Sequence, residues 1–472
     1  MPAAAPASPR IWTTEGLAPA LTVLAALATG AALAVAGPAM ALLPATAVAV
    51  VLLAARPRVL LLLYAVAIVV FEDDELGFLP QRSAFYDGVP APADVIFAVL
   101  TLATLAWVVQ QRRALRMPEP FTRALILVGF AVAAGAVLGW MSAGDRMEIV
   151  NTLRTFAPLL TVPVLVVNLV DDERLLVGAA AGGAALAGIK GVEGIAAWAT
   201  GGGRPLEGTT ITFYEPATNF LLLVFVCGVV AALLLRVRMP PWVVAALPVA
   251  TAAFVLSYRR NFWIAGLLAL ALLFLLTRLQ RDRRMLLPFG ALVVVAITAT
   301  LAWQGPPELE GPVAQRFTSL APNRIATNPY DRYRLDEQQN VVAELRRSPL
   351  LGLGLGVPWE VTHPLPVELE GGRLYTHTVA LWYWLKLGLA GLAAYVWLML
   401  AAVATSLRIA RHSGNGVVRA TALELGVGML GMVVAETSGS FTGVSGRYSI
   451  LVAFGLGWLA AAQRLLRRPD PE

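Results

Sequence analysis

Charge is scarce in this chain. Asp, Glu, Lys and Arg make up only 14% of its 472 residues, where a soluble globular domain carries about a quarter. Cysteine is scarcer still: the single Cys227 excludes an intrachain disulfide and any thiolate-based metal site. Lysine occurs only at Lys190 and Lys386, so arginine supplies nearly all the positive charge. Histidine is limited to His363, His377 and His412. No His, Cys or carboxylate group has a convincing metal-ligand spacing, so neither a metal nor another cofactor is expected. The net charge of +6 sits in short arginine clusters between apolar blocks. That placement is a topology signal and excludes a nucleic-acid-binding face.

What the chain has in abundance is apolar sequence. It is 58% hydrophobic, with a mean hydropathy of +0.71. The apolar residues come in blocks of about 16–25, long enough to cross a hydrocarbon core of roughly 30 Å. About fourteen spans follow, near 17–36, 39–55, 58–71, 93–110, 123–141, 152–170, 175–200, 217–235, 242–257, 262–277, 286–303, 378–402, 419–436 and 447–464. The first block has only Arg10 before it and many spans after it, so it reads as a retained span rather than a removed leader. Arginines mark alternate linkers, for example Arg112, Arg113 and Arg116, then Arg278, Arg281, Arg283 and Arg284, then Arg408 and Arg411. The positive-inside rule makes those linkers and both termini cytoplasmic.

The expected fold is therefore an all-α polytopic membrane protein with one long, ordered extracytoplasmic loop. Its sections are 1–200 (N-terminal spans), 201–303 (central spans), 304–377 (the loop) and 378–472 (C-terminal spans). Within the loop, 331–347 reads as a helix with Asp331 as N-cap, a stripe of Val341, Val342 and Leu345, and a stop at Ser348-Pro349. Leu350–Val357 (LLGLGLGV) then returns toward the bilayer. Gly352, Gly354 and Gly356 lack the strand–helix context of a dinucleotide site.

The outward side collects positive charge against the statistics. Arg259 and Arg260 lie in SYRRNFW, where Ser257 and Asn261 could cap the next span, and a helix N-terminus with guanidinium groups is an anion site. The plainer alternative is interfacial anchoring. Arg332 and Arg334 open the loop helix, against its dipole unless they pair with an anion or with Glu337. Arg204, in GGGRPLEG, and Arg154 are weaker anion candidates. His377 stands where the chain re-enters the membrane. It could take a proton from a hydroxyl, or merely line the interface. His363 lies in a Pro-rich stretch, and His412 lies among cytoplasmic arginines. Glu72, Asp73 and Asp74 form an acidic cluster with little metal-site character. Lys190 and Glu193, one turn apart inside a span, are most simply a neutralising pair, although ionisable residues in a membrane are otherwise functional by default.

Four of these pieces together resemble the O-antigen ligase and polymerase superfamily of bacterial membrane glycosyltransferases, over roughly residues 200–400. TFYEPATNFLL, with Glu215 and Asn219, looks like the family's Pro-Asn motif at the start of a span. SYRRNFW looks like its arginine motif, with Arg260 as the match and Asn261 replacing a glycine. YRLDEQQNVVAELRRSPLLGLGLG resembles the loop helix, with Arg334 at the arginine position. His377 through Gly388 follows the H-x10-G pattern. The resemblance implies an inverting, metal-independent transfer of a glycan from a polyprenyl diphosphate to an acceptor hydroxyl. The transfer would take place on the outer face of the cytoplasmic membrane. His377 would be the general base. Arg260 and Arg334, with Arg259, Arg332, Arg204, Asn219 and Glu215, would line the substrate site. The partners implied are the lipid-linked donor, a glycan, lipid or protein acceptor, and membrane lipids. A polymerase of lipid-linked repeats, a transporter of such lipids using Lys190 and Glu193, and a non-catalytic scaffold are the competing readings.

Overall fold

The computed structural model describes residues 56–70, 92–112, 114–202, 204–206, 209–211, 216–278, 329–367, 373–439 and 441–467. Among the described residues the regular structure is helical apart from one short pair of strands. Its helices are α1 (Pro57–Val70), α2 (Pro92–Gln110), α3 (Phe121–Met141), α4 (Arg146–Leu169), α5 (Glu173–Ala199), α6 (Pro216–Leu234) and α7 (Pro241–Leu256). They continue with α8 (Arg260–Arg278), α9 (Pro329–Arg347), α10 (Val379–His412), α11 (Gly416–Ala435) and α12 (Gly446–Leu466). Strands β1 (Arg204–Leu206) and β2 (Thr209–Ile211) pair antiparallel between α5 and α6. Hydropathy alone gives no sign of this strand pair.

Nine of the described helices are long and apolar enough to cross a membrane, which makes the chain a multi-pass membrane protein. Helices α1 and α7 are apolar but only 14 and 16 residues long. They coincide with the spans expected at 58–71 and 242–257. The spans expected at 17–36, 39–55 and 286–303 lie outside the described residues, as does the acidic cluster at 72–74.

One compact unit holds α2 and most of α1, where the rings of Tyr64 and Phe97 lie 5.7 Å apart. The other unit runs from Arg116 onward and takes in the end of α1. In it α12 packs on α4, α10 on α3 and α11, α5 on α7, and α8 and α6 on α11. Arg447, buried at the start of α12, gives its guanidinium to Ile68 O (2.7 Å) and Val69 O (3.1 Å). It thereby satisfies carbonyls that the end of α1 leaves without helical partners. Helix α10 outruns the expected 378–402 and continues to His412. Arg411 and His412 in its last turn complement the helix dipole, so nothing stops the helix at the end of its apolar stretch.

The segment after α9 packs against α10 and α3. Gly388, inside α10, has φ 70° and ψ −178°, a conformation essentially confined to glycine, and it breaks the helix. The two groups that an unbroken helix would join, Leu385 O and Leu389 N, each bond to the returning loop. Leu353 N donates to Leu385 O at 2.6 Å, and Leu389 N donates to Leu350 O at 3.0 Å. Farther along, Leu355 N donates to Gly135 O of α3 (2.9 Å) and Asp145 N donates to Gly356 O (2.8 Å). Gly354 passes so close to α3, at φ 93°, that a Cβ on it would fall 2.4 Å from Gly139 N. The Lys386 ammonium donates to Val357 O. Non-helical backbone beside membrane-spanning helices requires this kind of internal satisfaction.

Candidate active site

Helix α9 carries most of the candidate site. It begins at Pro329, two residues earlier than expected, and Asp331 lies in its first turn instead of capping it. Proline suits a helix start because its missing N–H would have no helical partner there. The Asp331 carboxylate is committed elsewhere, as described below. Val341 and Leu345 are buried as the periodicity implies, while Val342 is exposed. With Trp359 and Leu385 they form an apolar cluster that seats α9 on α10. Burial of each such side chain is worth about 1.5–3 kcal/mol. The Trp359 indole N–H donates to Tyr375 O at 3.0 Å and holds the descending chain against α9. Asn340, fully buried, accepts from Thr362 N and His363 N (both 2.6 Å) and donates to His363 O (3.0 Å).

Asp331, Arg334 and Glu337 recur every three residues, so they share one face of α9. At its N-terminal end Arg260, the first residue of α8, places Nη2 2.8 Å and 3.1 Å from the two oxygens of Asp331. Arg334 brings Nη1 to 3.7 Å from the same carboxylate, an ion pair rather than a hydrogen bond. Two guanidinium groups from different helices thus converge on one anion. The Arg260 side chain is 16% exposed and that of Arg334 36%, so the cluster opens to solvent on the Arg334 side.

One turn on, His377 meets Glu337. The Glu337 carboxylate, fully buried, accepts the backbone N–H of His377 at 2.8 Å and lies 3.1–3.2 Å from ring Nδ1. The rings of Tyr333 and Tyr375 stand edge-on to the imidazole at 5.9 and 5.0 Å. Burial, reinforced by the Glu337 charge, pushes the Tyr333 hydroxyl up to about 12, so it stays protonated at any working pH. The floor is tied to α11. Gln338 donates to Thr378 Oγ1 (3.0 Å), Thr378 Oγ1 donates to Thr437 O (3.1 Å), and Val379 N donates to Glu436 O (3.0 Å). Asn261 does not cap α8; its amide donates to Ala435 O at 3.1 Å, linking α8 to the end of α11. Ser257 donates to Phe254 O and accepts from Arg259 N at 3.4 Å.

The other candidates are placed differently. Arg332 turns to solvent and pairs with Asp336 at 3.7 Å, away from the Asp331 cluster. Arg259 precedes Arg260 in the turn before α8 and is half-buried. Asn219 is fully buried in the first turn of α6. Arg204 opens β1, opposite Ile211. Glu215 lies outside the described residues. His363 is exposed, its ring 3.1 Å from Thr362 Oγ1, and His412 is exposed at the end of α10. Lys190 and Glu193 form a 2.8 Å ion pair, as their spacing suggests. Among the described residues no three His, Cys, Asp or Glu side chains gather as a metal site would require. Sequence reasoning missed the contacts of Asp331 with Arg260 and of Glu337 with His377. The three-residue spacing with Arg334 was the available signal, but only the docking of α9 shows what each carboxylate faces.

Fold and site define a class: a multi-pass membrane protein with paired arginines and a carboxylate-bound histidine where α8, α9, α10 and α11 meet. Residues 244–396 match the family model described as O-antigen ligase, which supports the superfamily that the four motifs resemble. The matched stretch includes Arg260, Arg334, Glu337, His377 and Gly388. No curated protein matches the chain significantly.

Proposed function

We propose that the protein is an O-antigen-ligase-like glycosyltransferase. It moves a glycan from a polyprenyl-diphosphate carrier to an acceptor hydroxyl at the outer face of the cytoplasmic membrane, with inversion and without a metal. The observation that carries this reading is the shared face of α9. It holds a two-arginine anion cluster and a histidine site six residues apart, roughly 9 Å along a helix axis. One lipid-linked sugar can engage both. The diphosphate pairs with Arg260 and Arg334, whose forked donors suit phosphate oxygens. Asp331 keeps the two guanidinium groups together before the donor arrives. As the bond from sugar C1 to the phosphate oxygen breaks, negative charge grows on the leaving diphosphate, where the arginines stabilise it. His377 accepts the proton of the attacking hydroxyl from the opposite side of the ring.

The Lys190–Glu193 pair, closed within one helical turn, supports a structural role for these charges rather than a translocation path. The test is purified protein with a polyprenyl-diphosphate glycan and an acceptor, following carrier release. His377→Ala is expected to lower kcat by roughly 10²-fold or more with donor binding retained. Turnover within a few-fold of wild type would remove His377 as the base.

A further inference from the structure

We propose that Glu337 is a positioning residue for this reaction: its carboxylate fixes His377 in the tautomer that leaves Nε2 as the proton acceptor. The inference rests on the reading of His377 as the base. An ionised carboxylate offers only acceptors, so its 3.1 Å contact with Nδ1 puts the proton on that nitrogen and the lone pair on Nε2. Burying a carboxylate is costly unless it is hydrogen-bonded. Glu337 meets that condition with two donors from the same residue, the backbone N–H and the ring N–H of His377. The Tyr333 and Tyr375 rings flank the imidazole and limit its rotation. Arg334 lies one turn before Glu337, so the docking of α9 delivers an anion ligand and the orientation of the base together.

In the transfer step the acceptor O–H proton passes to Nε2 while the acceptor oxygen bonds to sugar C1. The C1–O bond to the phosphate breaks, and its electron pair leaves with the diphosphate. The imidazolium keeps its Nδ1 proton facing Glu337, and the proton taken from the acceptor stays on Nε2.

Glu337→Gln separates this role from simple packing. The single amide oxygen would be taken by the backbone N–H of His377. The amide NH₂ would then take the place of the other oxygen, 3.2 Å from Nδ1, and would compete with the amide oxygen for that nitrogen, drawing the imidazole toward the tautomer protonated on Nε2, the wrong one. The equivalent amidation in the Ser-His-Asp triad costs about 10⁴-fold in kcat. For Glu337→Gln a fall of about 10²–10⁴ is expected, with donor KM and unfolding temperature near wild type. ¹⁵N-histidine NMR at a pH about two units above an ordinary imidazole pKa reads the tautomer directly. With only three histidines in the chain, His377→Ala assigns the signal. The wild-type protein should show unprotonated Nε2, and the Gln variant a protonated one. Wild-type kcat in Glu337→Gln, or a protonated Nε2 in the wild-type spectrum, would overturn the proposal. The spectrum decides even if the variant folds poorly. An active His377→Ala sinks the base itself, whereas an inactive His377→Ala beside an active Glu337→Gln sinks only the role of Glu337.

Discussion

Gly388→Ala tests whether the break in α10 holds the site together. The substitution meets two obstacles. The backbone conformation, φ 70° and ψ −178°, is one that non-glycine residues adopt only at a cost of about 1–3 kcal/mol. The new methyl would also lie 2.4 Å from Leu350 O and 2.9 Å from Leu351 O. Both neighbours are backbone atoms, so no rotamer change relieves the contact. The loop must retreat, which weakens the bonds from Leu389 N to Leu350 O and from Leu353 N to Leu385 O. Each is worth about 0.5–1.5 kcal/mol net. The total is about 2–6 kcal/mol, a large share of an ordinary margin of about 5–15 kcal/mol. Thermal unfolding in detergent should show a fall of several degrees or more, and carrier release should fall with it as α9 loses its support. Gly178→Ala is the control, because its Cβ would enter open space on α5 and alanine is the better helix former. If both variants unfold like wild type, the break does not hold the loop and the reasoning fails.

Two further outcomes are expected. Arg260→Lys and Arg334→Lys keep charge but lose the two-pronged donor, so each should impair carrier release; wild-type rates in both would remove the bidentate contact. In whole cells, Glu360→Cys and Gly414→Cys should label from opposite faces of the membrane against a native background of one buried cysteine, Cys227. Labelling from the same face would reject the orientation inferred from the arginine pattern.

Most of the membrane helices were legible in the sequence because length and hydropathy are local properties. The loop helix was legible from its Val341 and Leu345 period, and its start was misplaced because Asp331 looks like a cap. What makes Asp331 an ion-pair partner is Arg260, 71 residues earlier, and no local pattern reports that contact. Glu337 was similarly hidden: 40 residues separate it from His377. The H-x10-G spacing was visible as a motif, but its physical reason was not. That reason is a glycine-only backbone angle where Leu350 and Leu353 enter α10. The sequence of 204–206 and 209–211 contains no long apolar run, so hydropathy was silent about the strand pair.

The threading of Leu350–Val357 between α3 and α10 bears on how the chain is built during synthesis. Until the loop docks, Leu385 O and Leu389 N can satisfy each other in an unbroken helix, so the break in α10 is set only when the loop enters. A break formed without the loop would leave both groups unpaired, at several kcal/mol each in hydrocarbon. α3 also awaits this segment, more than 200 residues after its own synthesis. α10 therefore takes its final, broken form only with the loop in place, and the loop cannot be exchanged as an independent module. Exchange of α9 between relatives would have to carry the glycine-rich return and the first turns of α10 with it.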